Sequence, residues 1–249
     1  MDAGAGVRCA AGATTRIADL TLVGTVRLVP SLFEPPSLPE PTGLRAPASP
    51  PADHYFSAEP ASDDERRSVV MHLAGRDVTV QVAGGIFSPG RVDAGTQVLL
   101  RTVGPPPVSG HLLDLGCGWG PLALTMALQS PDAQVWAVDV NRRALDLVRL
   151  TARDLGLANV TAVRPDEVPD AVRFRAIWSN PPIRVGKDAL HQMVRQWLAR
   201  LEPDGEAHLV VQRNLGSDSL QRWIVQELGL PVERVASAKG FRVLRVVLP

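Results

Sequence analysis

Residues 111–120 read HLLDLGCGWG. An apolar run closes on Asp114, glycines follow at 116, 118 and 120, and an amphipathic segment, 121–128, comes next. That order predicts a buried strand, a tight turn and the start of a helix. Glycine serves such a turn twice: it accepts φ > 0, and it lets a ligand approach the backbone where a Cβ would intrude. The free N–H groups of the helix N-terminus then face a polar or anionic ligand. The spacing is G-x-G-x-G rather than the G-x-G-x-x-G of dinucleotide binders. A glycine turn alone is also a plain strand-to-helix connection, so the later strand ends carry the argument further.

A second apolar strand, 134–138, ends in Asp139 and is followed by Asn141. An acidic residue at the tip of the second strand is where α/β folds hold ribose hydroxyls. A further strand, 174–179, ends in Asn180-Pro181-Pro182-Ile183. Proline has no N–H and stiffens its predecessor, so this stop presents carbonyl and amide groups in a fixed arrangement. Around these three strand ends, strand and helix alternate to the end of the chain. The helices are expected at 142–155, 188–201 and 219–228, and strands at 160–163 and 207–211. Alternation of this kind predicts a mostly parallel sheet with helices on both faces. Two β-rich runs around Lys239-Gly240, 232–237 and 241–248, read as a terminal hairpin. Upstream, 68–73 and 77–82 read as another hairpin, and a helix opened by Asp93 follows a Gly84–Gly90 loop.

DLGCGWG, VDVN and SNPP, in this order and spacing, resemble the class I S-adenosylmethionine-dependent methyltransferases. The Asn-Pro-Pro turn resembles the branch that methylates exocyclic or amide nitrogens. The string GIFSPGRVDAGTQVLL (85–100) resembles the segment preceding the core of bacterial small-subunit ribosomal RNA guanine-N2 methyltransferases, and SNPPIRVGK and VVQRNLG resemble the same family. The resemblance covers residues 55 to 249 and implies an α/β, Rossmann-like sheet, mostly parallel with a C-terminal antiparallel strand, preceded by a β-hairpin. It implies S-adenosyl-L-methionine as cofactor. Gly116, Gly118 and Gly120 would line its methionine portion, Asp114 its amino group, Asp139 its ribose hydroxyls and Asn141 its adenosine, with Asp166 capping the adenine amine. Asn180, through its side-chain carbonyl, and Pro181, through its backbone carbonyl, would accept the N–H groups of the target amine. Phe87, Ser88, Asp93 and Thr96 match family positions that pack over the cofactor.

The family's fourth turn position is usually aromatic and stacks on the target ring. Here Ile183 follows Pro182, and Phe87 is the candidate to supply the missing ring. Arg184, Lys187, Arg213 and Arg242 fall in or after loops near the expected mouth and are candidates to meet phosphates. The resemblance implies a cytoplasmic enzyme methylating a guanine exocyclic amine in 16S ribosomal RNA, with ribosomal RNA or the small subunit as partner. Two alternatives stand beside it: methylation of a glutamine amide of release factors, which uses the same turn, and a non-catalytic cofactor-binding module in ribosome assembly.

Bulk properties narrow the field further. Basic and acidic residues balance at 26 each, so the chain does not bind nucleic acid by bulk charge, and any RNA contact is a local patch or depends on shape. Its two cysteines, Cys9 and Cys117, imply no disulfide framework and fit a reducing cytoplasm. Cys117 reads as a small structural residue of the turn. There is no CxxC or histidine cluster to suggest a metal, and no apolar run reaches the roughly 18 residues of a membrane helix. Residues 1–53 are Pro- and Ala-rich and are expected as a disordered extension. Residues 54–107 are expected as a hairpin and helix capping the core, and 108–249 as the core itself.

Overall fold

The computed structural model describes residues 65–248; the 1–53 extension lies outside them. Two strands, β1 (Arg67–Leu73) and β2 (Arg76–Val82), pair antiparallel as a separate hairpin. Alternate residues Val78, Val80 and Val82 are buried on its inner face, as the period of 2 requires. The helix α1 (Ala94–Thr102) follows, capped by the Asp93 side chain, which accepts from Gly95 N at 2.8 Å.

The core is a seven-stranded sheet. Its strands are β3 (Ser109–Leu115), β4 (Asp132–Val138), β5 (Val160–Val163), β6 (Phe174–Ser179), β7 (Leu201–Gln212), β8 (Val232–Ala238) and β9 (Phe241–Val247), in the order β5-β4-β3-β6-β7-β9-β8. Strands β3 to β7 run parallel; β9 is antiparallel to β7, and β8 to β9. The glycine-turn strand β3 is therefore central. Sequence order reverses beside it, between β3 and β6, which is where such sheets open a crevice at their C-terminal edge.

Both faces of the sheet are covered. On one, Leu112, Val135 and Trp178 pack against α1, α2 (Pro121–Gln129) and α3 (Arg142–Asp154). On the other, Leu113, Ile177 and Leu209 pack against α4 (Lys187–Leu198) and α5 (Ser217–Leu228). Burial on both faces explains why Leu112 and Leu113 are adjacent rather than alternating with polar residues. The hairpin closes a third cluster over Trp119 and Leu124 at the α2 end and Ala144 and Leu147 of α3.

Several boundaries differ from the sequence reading. The helix expected to reach 201 stops at Leu198, and β7 begins at Leu201 rather than 207. Its register against β6 breaks between Phe174 and Ala176, with Asp204 at φ 61 and Gly205 wedged against the Phe174 and Glu202 backbone. This irregular Pro-Asp-Gly segment hid the start of the strand. Helix α5 begins at Ser217, with Gly216 at its N-cap position, rather than at 219. Among the described residues no helix is long and apolar enough to cross a membrane.

Candidate active site

The three strand ends meet in one crevice. After Leu115 the chain turns through Gly116 (φ 75), Gly118 (φ 54) and Gly120 (φ 90) into α2. Asp114 is buried beneath that turn, and its Oδ2 accepts from Ala123 N at 2.8 Å. Burial, aided by the nearby Asp139 carboxylate, pushes the Asp114 carboxyl up to about 8. A buried carboxyl of this kind, lining a crevice, is suited to a cationic partner such as an amino group.

Asp139, at the tip of β4, ties the turn together: its Oδ2 accepts from Gly118 N and its Oδ1 from Asn141 N, both at 2.9 Å. Burial raises its pKa, and those backbone N–H groups oppose the rise. Asn141 caps α3, its Oδ1 accepting from Arg143 N at 2.9 Å and Ala144 N at 3.4 Å. Its Nδ2 donates to Gly85 O at 3.1 Å, while Arg143 Nη1 donates to Gly84 O at 3.0 Å. These two bonds hold the Gly84-Gly85 loop, and with it Ile86 and Phe87, against the crevice. The sequence reading missed Arg143, because nothing local distinguishes it from any other charged residue in the first turn of a helix.

The β6 end is fixed by Ser179 Oγ donating to Leu115 O at 2.7 Å. Asn180 follows. Its Nδ2 donates to Asp93 Oδ2 at 3.0 Å and to Thr96 Oγ1 at 3.1 Å. An ionised carboxylate only accepts, so the amide must present its NH2 to Asp93, and Oδ1 turns away from α1. One carboxylate oxygen thus caps α1 and orients Asn180 together.

Asn180 lines both halves of the crevice. One half is a narrow recess bounded by Asp93, Thr96, Asp114, Gly116, Gly118 and Asn180. The other has a volume of about 310 Å³ between Phe87, Asp139, Val140, Pro165, Pro182 and the α4 residues Gln192, Met193 and Gln196. Phe87 and Gly116, with Asn180, line both. The sequence reading missed these α4 residues, because helical spacing marks the buried face and gives no sign that the neighbouring face borders a cavity.

Several expected site residues stand elsewhere. Gly120 does not line the crevice; a Cβ there would meet Val148 Cγ2 at 2.8 Å, so this glycine exists for the contact between α2 and α3. Asp166 is exposed, and Arg164 holds its carboxylate at 3.1 Å; its neighbour Pro165 lines the cavity instead. Ile183 opens a short 3-10 turn (Ile183–Val185) and packs beside the α4 core cluster, away from the crevice wall. Pro182 and Phe87, the latter 44% exposed, line the wall. Pro181 is buried and Lys187 is exposed at the start of α4, both outside the crevice lining. Arg242 pairs with Asp218, and the side chain of Arg184 lies outside the described residues. Cys117 is buried within the turn and its thiol pKa is raised well above the ordinary range by burial, which leaves it a structural residue and no nucleophile.

Comparison with known proteins gives the family of the chain. The model of the methyltransferase small domain matches residues 77–245. A Bacillus subtilis protein, YbxB, itself uncharacterised, is 32% identical over 197 residues, covering 78% of this chain and 98% of that protein. The Ribosomal RNA small subunit methyltransferase C of Pseudomonas aeruginosa is 34% identical over 191 residues, covering 75% of this chain and 56% of that protein. Among solved structures, the T. thermophilus 16S rRNA N2 G1207 methyltransferase (RsmC), in complex with AdoMet and guanosine, aligns with TM-score 0.66 and 26% identity, covering 74% of this chain and 51% of that one. The chain thus spans about half the length of these ribosomal RNA methyltransferase relatives. It belongs to the methyltransferase small-domain family, and S-adenosylmethionine is the cofactor its buried Asp114, glycine turn and Asp139 are suited to hold.

Proposed function

We propose that this chain methylates the exocyclic amine of a guanine in small-subunit ribosomal RNA, acting in the cytoplasm. The observation that carries the reading is the orientation of Asn180. With its NH2 engaged by Asp93 and Thr96, its Oδ1 is the acceptor left to the crevice. The names of the relatives support small-subunit ribosomal RNA as the substrate, and the guanosine in the T. thermophilus complex supports a guanine as the ring presented to Asn180.

The exocyclic amine of guanine is a weak nucleophile because its lone pair is delocalised into the ring. An acceptor aimed at one of its N–H groups favours the tetrahedral nitrogen that can attack. S-adenosylmethionine supplies, when bound, an electrophilic methyl on a sulfonium sulfur. Asp114 would hold its amino group through a charge-assisted hydrogen bond, and Asp139 would accept from its ribose. Asn180, at the junction of the two halves of the crevice, aligns the amine with the methyl, which is the main contribution alignment makes to a two-substrate transfer. In such a transfer the nitrogen would take the methyl carbon as its bond to sulfur broke, and the amine proton would leave to solvent.

The test is transfer of labelled methyl from S-adenosylmethionine to 16S ribosomal RNA and to small subunits, both from cells lacking the gene. Label is expected in RNA, at a guanine, with kcat reduced about 100-fold or more by Asn180→Ala, the scale on which removing one aligned hydrogen-bonding group acts. Label in protein instead would overturn the reading in favour of a glutamine amide. Full activity of Asn180→Ala would overturn the role given to this residue.

A further inference from the structure

A second concavity lies outside the cofactor crevice. It has a volume of about 690 Å³ and runs between the β1–β2 turn and α1, over Trp178 and the Thr125 and Gln129 side of α2. Arg91 and Arg101 stand on its rim with His72, and among the described residues no carboxylate lines it. Both arginines are exposed, and neither makes an ion pair among the described residues. His72 is joined to Asp77 at 2.8 Å, so that neighbouring carboxylate is already engaged.

A single short stretch of chain borders both the groove and the active site. Phe87 and Ser88 line the crevice, Gly90 and Arg91 line the groove, and the Arg91 N–H donates to Ser88 O at 3.5 Å across the turn between them. Helix α1 then makes the connection a second time. Its first turn holds Asn180 through Asp93 and Thr96, and its last turn carries Arg101. At 1.5 Å per residue the eight steps from Asp93 to Arg101 span about 12 Å. That is the reach of a few nucleotides on either side of a base seated at Asn180.

We infer that this groove takes the ribose-phosphate strand flanking the target nucleotide, with Arg91 and Arg101 meeting its phosphates. The inference rests on the functional reading above and specifies where the RNA lies. A neutral protein that binds a polyanion needs a local strip of cations free of carboxylates, and this groove supplies one leading away from the site. The phosphate contacts position the strand without reading its sequence, so that base choice stays with the crevice.

The experiment measures methylation of 16S ribosomal RNA and of small subunits by the full chain and by Arg91→Glu, Arg101→Glu and the double variant. A charge-matched control, Arg222→Glu, lies on the exposed side of α5. Affinity for S-adenosylmethionine and thermal midpoint are read in parallel to show that each variant is folded. The expected result is a KM for RNA raised about tenfold or more in the double variant, with cofactor affinity unchanged. The slope of log affinity against log salt should become shallower by about one for each phosphate that is no longer neutralised. The control should match wild type. An unchanged KM and salt slope in the double variant, or an equal effect from Arg222→Glu, would overturn the groove while leaving the functional reading intact. No RNA labelling by the wild type would instead overturn the functional reading, and the groove with it.

Discussion

At the scale of single residues, Asn180 shows how one carboxylate can set the chemistry of a side chain it does not otherwise resemble. Asp93 accepts both from Gly95 N, capping α1, and from Asn180 Nδ2. Replacing it with asparagine separates these roles, because asparagine caps a helix about as well as aspartate but offers Asn180 either a donor or an acceptor. Asp93→Asn is therefore expected to keep the thermal midpoint and the affinity for S-adenosylmethionine while lowering kcat about tenfold. Thr96→Val should lower kcat less, since it removes only the second acceptor. Steady-state kinetics with both substrates varied would test the split between kcat and KM. The aromatic wall gives a second contrast. Phe87 borders the crevice and Ile183 does not. Phe87→Ala should cost about 10- to 100-fold in kcat/KM for RNA, the value of one stacked base. Ile183→Tyr should add no activity and instead lower stability by about 1–3 kcal/mol through overpacking beside α4. Kinetics and denaturant unfolding of the two variants check both.

At the scale of elements, the turn between β3 and α2 serves two masters. Gly116 and Gly118 border the crevice, while Gly120 serves the packing of α2 on α3. At φ 90, with Val148 Cγ2 2.8 Å from the place a Cβ would occupy, Gly120 has no substitute. Gly120→Ala is expected to destabilise by about 2–4 kcal/mol, combining the left-handed conformation with the forced displacement of a core side chain. Val148→Ala in the same chain should relieve the clash but not the backbone strain, so rescue measured by denaturant unfolding should be partial. The hairpin is an element fastened by its following loop: Asn141 and Arg143 at the start of α3 bind the carbonyls of Gly85 and Gly84, across separations of 56 and 59 residues. Its place against the site thus depends on a helix far downstream as much as on its own apolar face.

At the scale of the whole molecule, burial of charge beneath the glycine turn couples the site to stability. Asp114 titrates at about 8 in the folded chain against 3.8 for a free carboxyl, and Asp139 is raised in the same direction. Between those two values the folded protein keeps a proton that the unfolded chain has lost. The stabilisation is fully present below about 4 and disappears as pH rises through 8. The thermal midpoint of the cofactor-free protein should therefore fall as pH is raised from about 5 to about 9, and Asp114→Asn should flatten most of that fall. Calorimetric scans across the range would decide it, and a wild type whose midpoint rises with pH would contradict the assigned burial.

The sequence alone determined the order and type of the elements, because hydrophobic period, glycine turns and the proline stop are local properties. It also determined where the three motifs stand: Asp114 and the glycines, Asp139, and Asn180 are all at β-strand ends in the structure as the motifs required. It could not determine which polar groups face each other across the crevice. Asn180 meets Asp93 and Thr96 over separations of 87 and 84 residues. No local spacing encodes such a meeting; only the packing of α1 against the sheet creates it. The same holds for Gly120, Asp166 and Ile183, which match motif positions yet turn to a helix, to Arg164 and to the core. A motif fixes where the backbone goes, whereas the direction of each side chain is chosen by the volume and partners that distant elements leave around it.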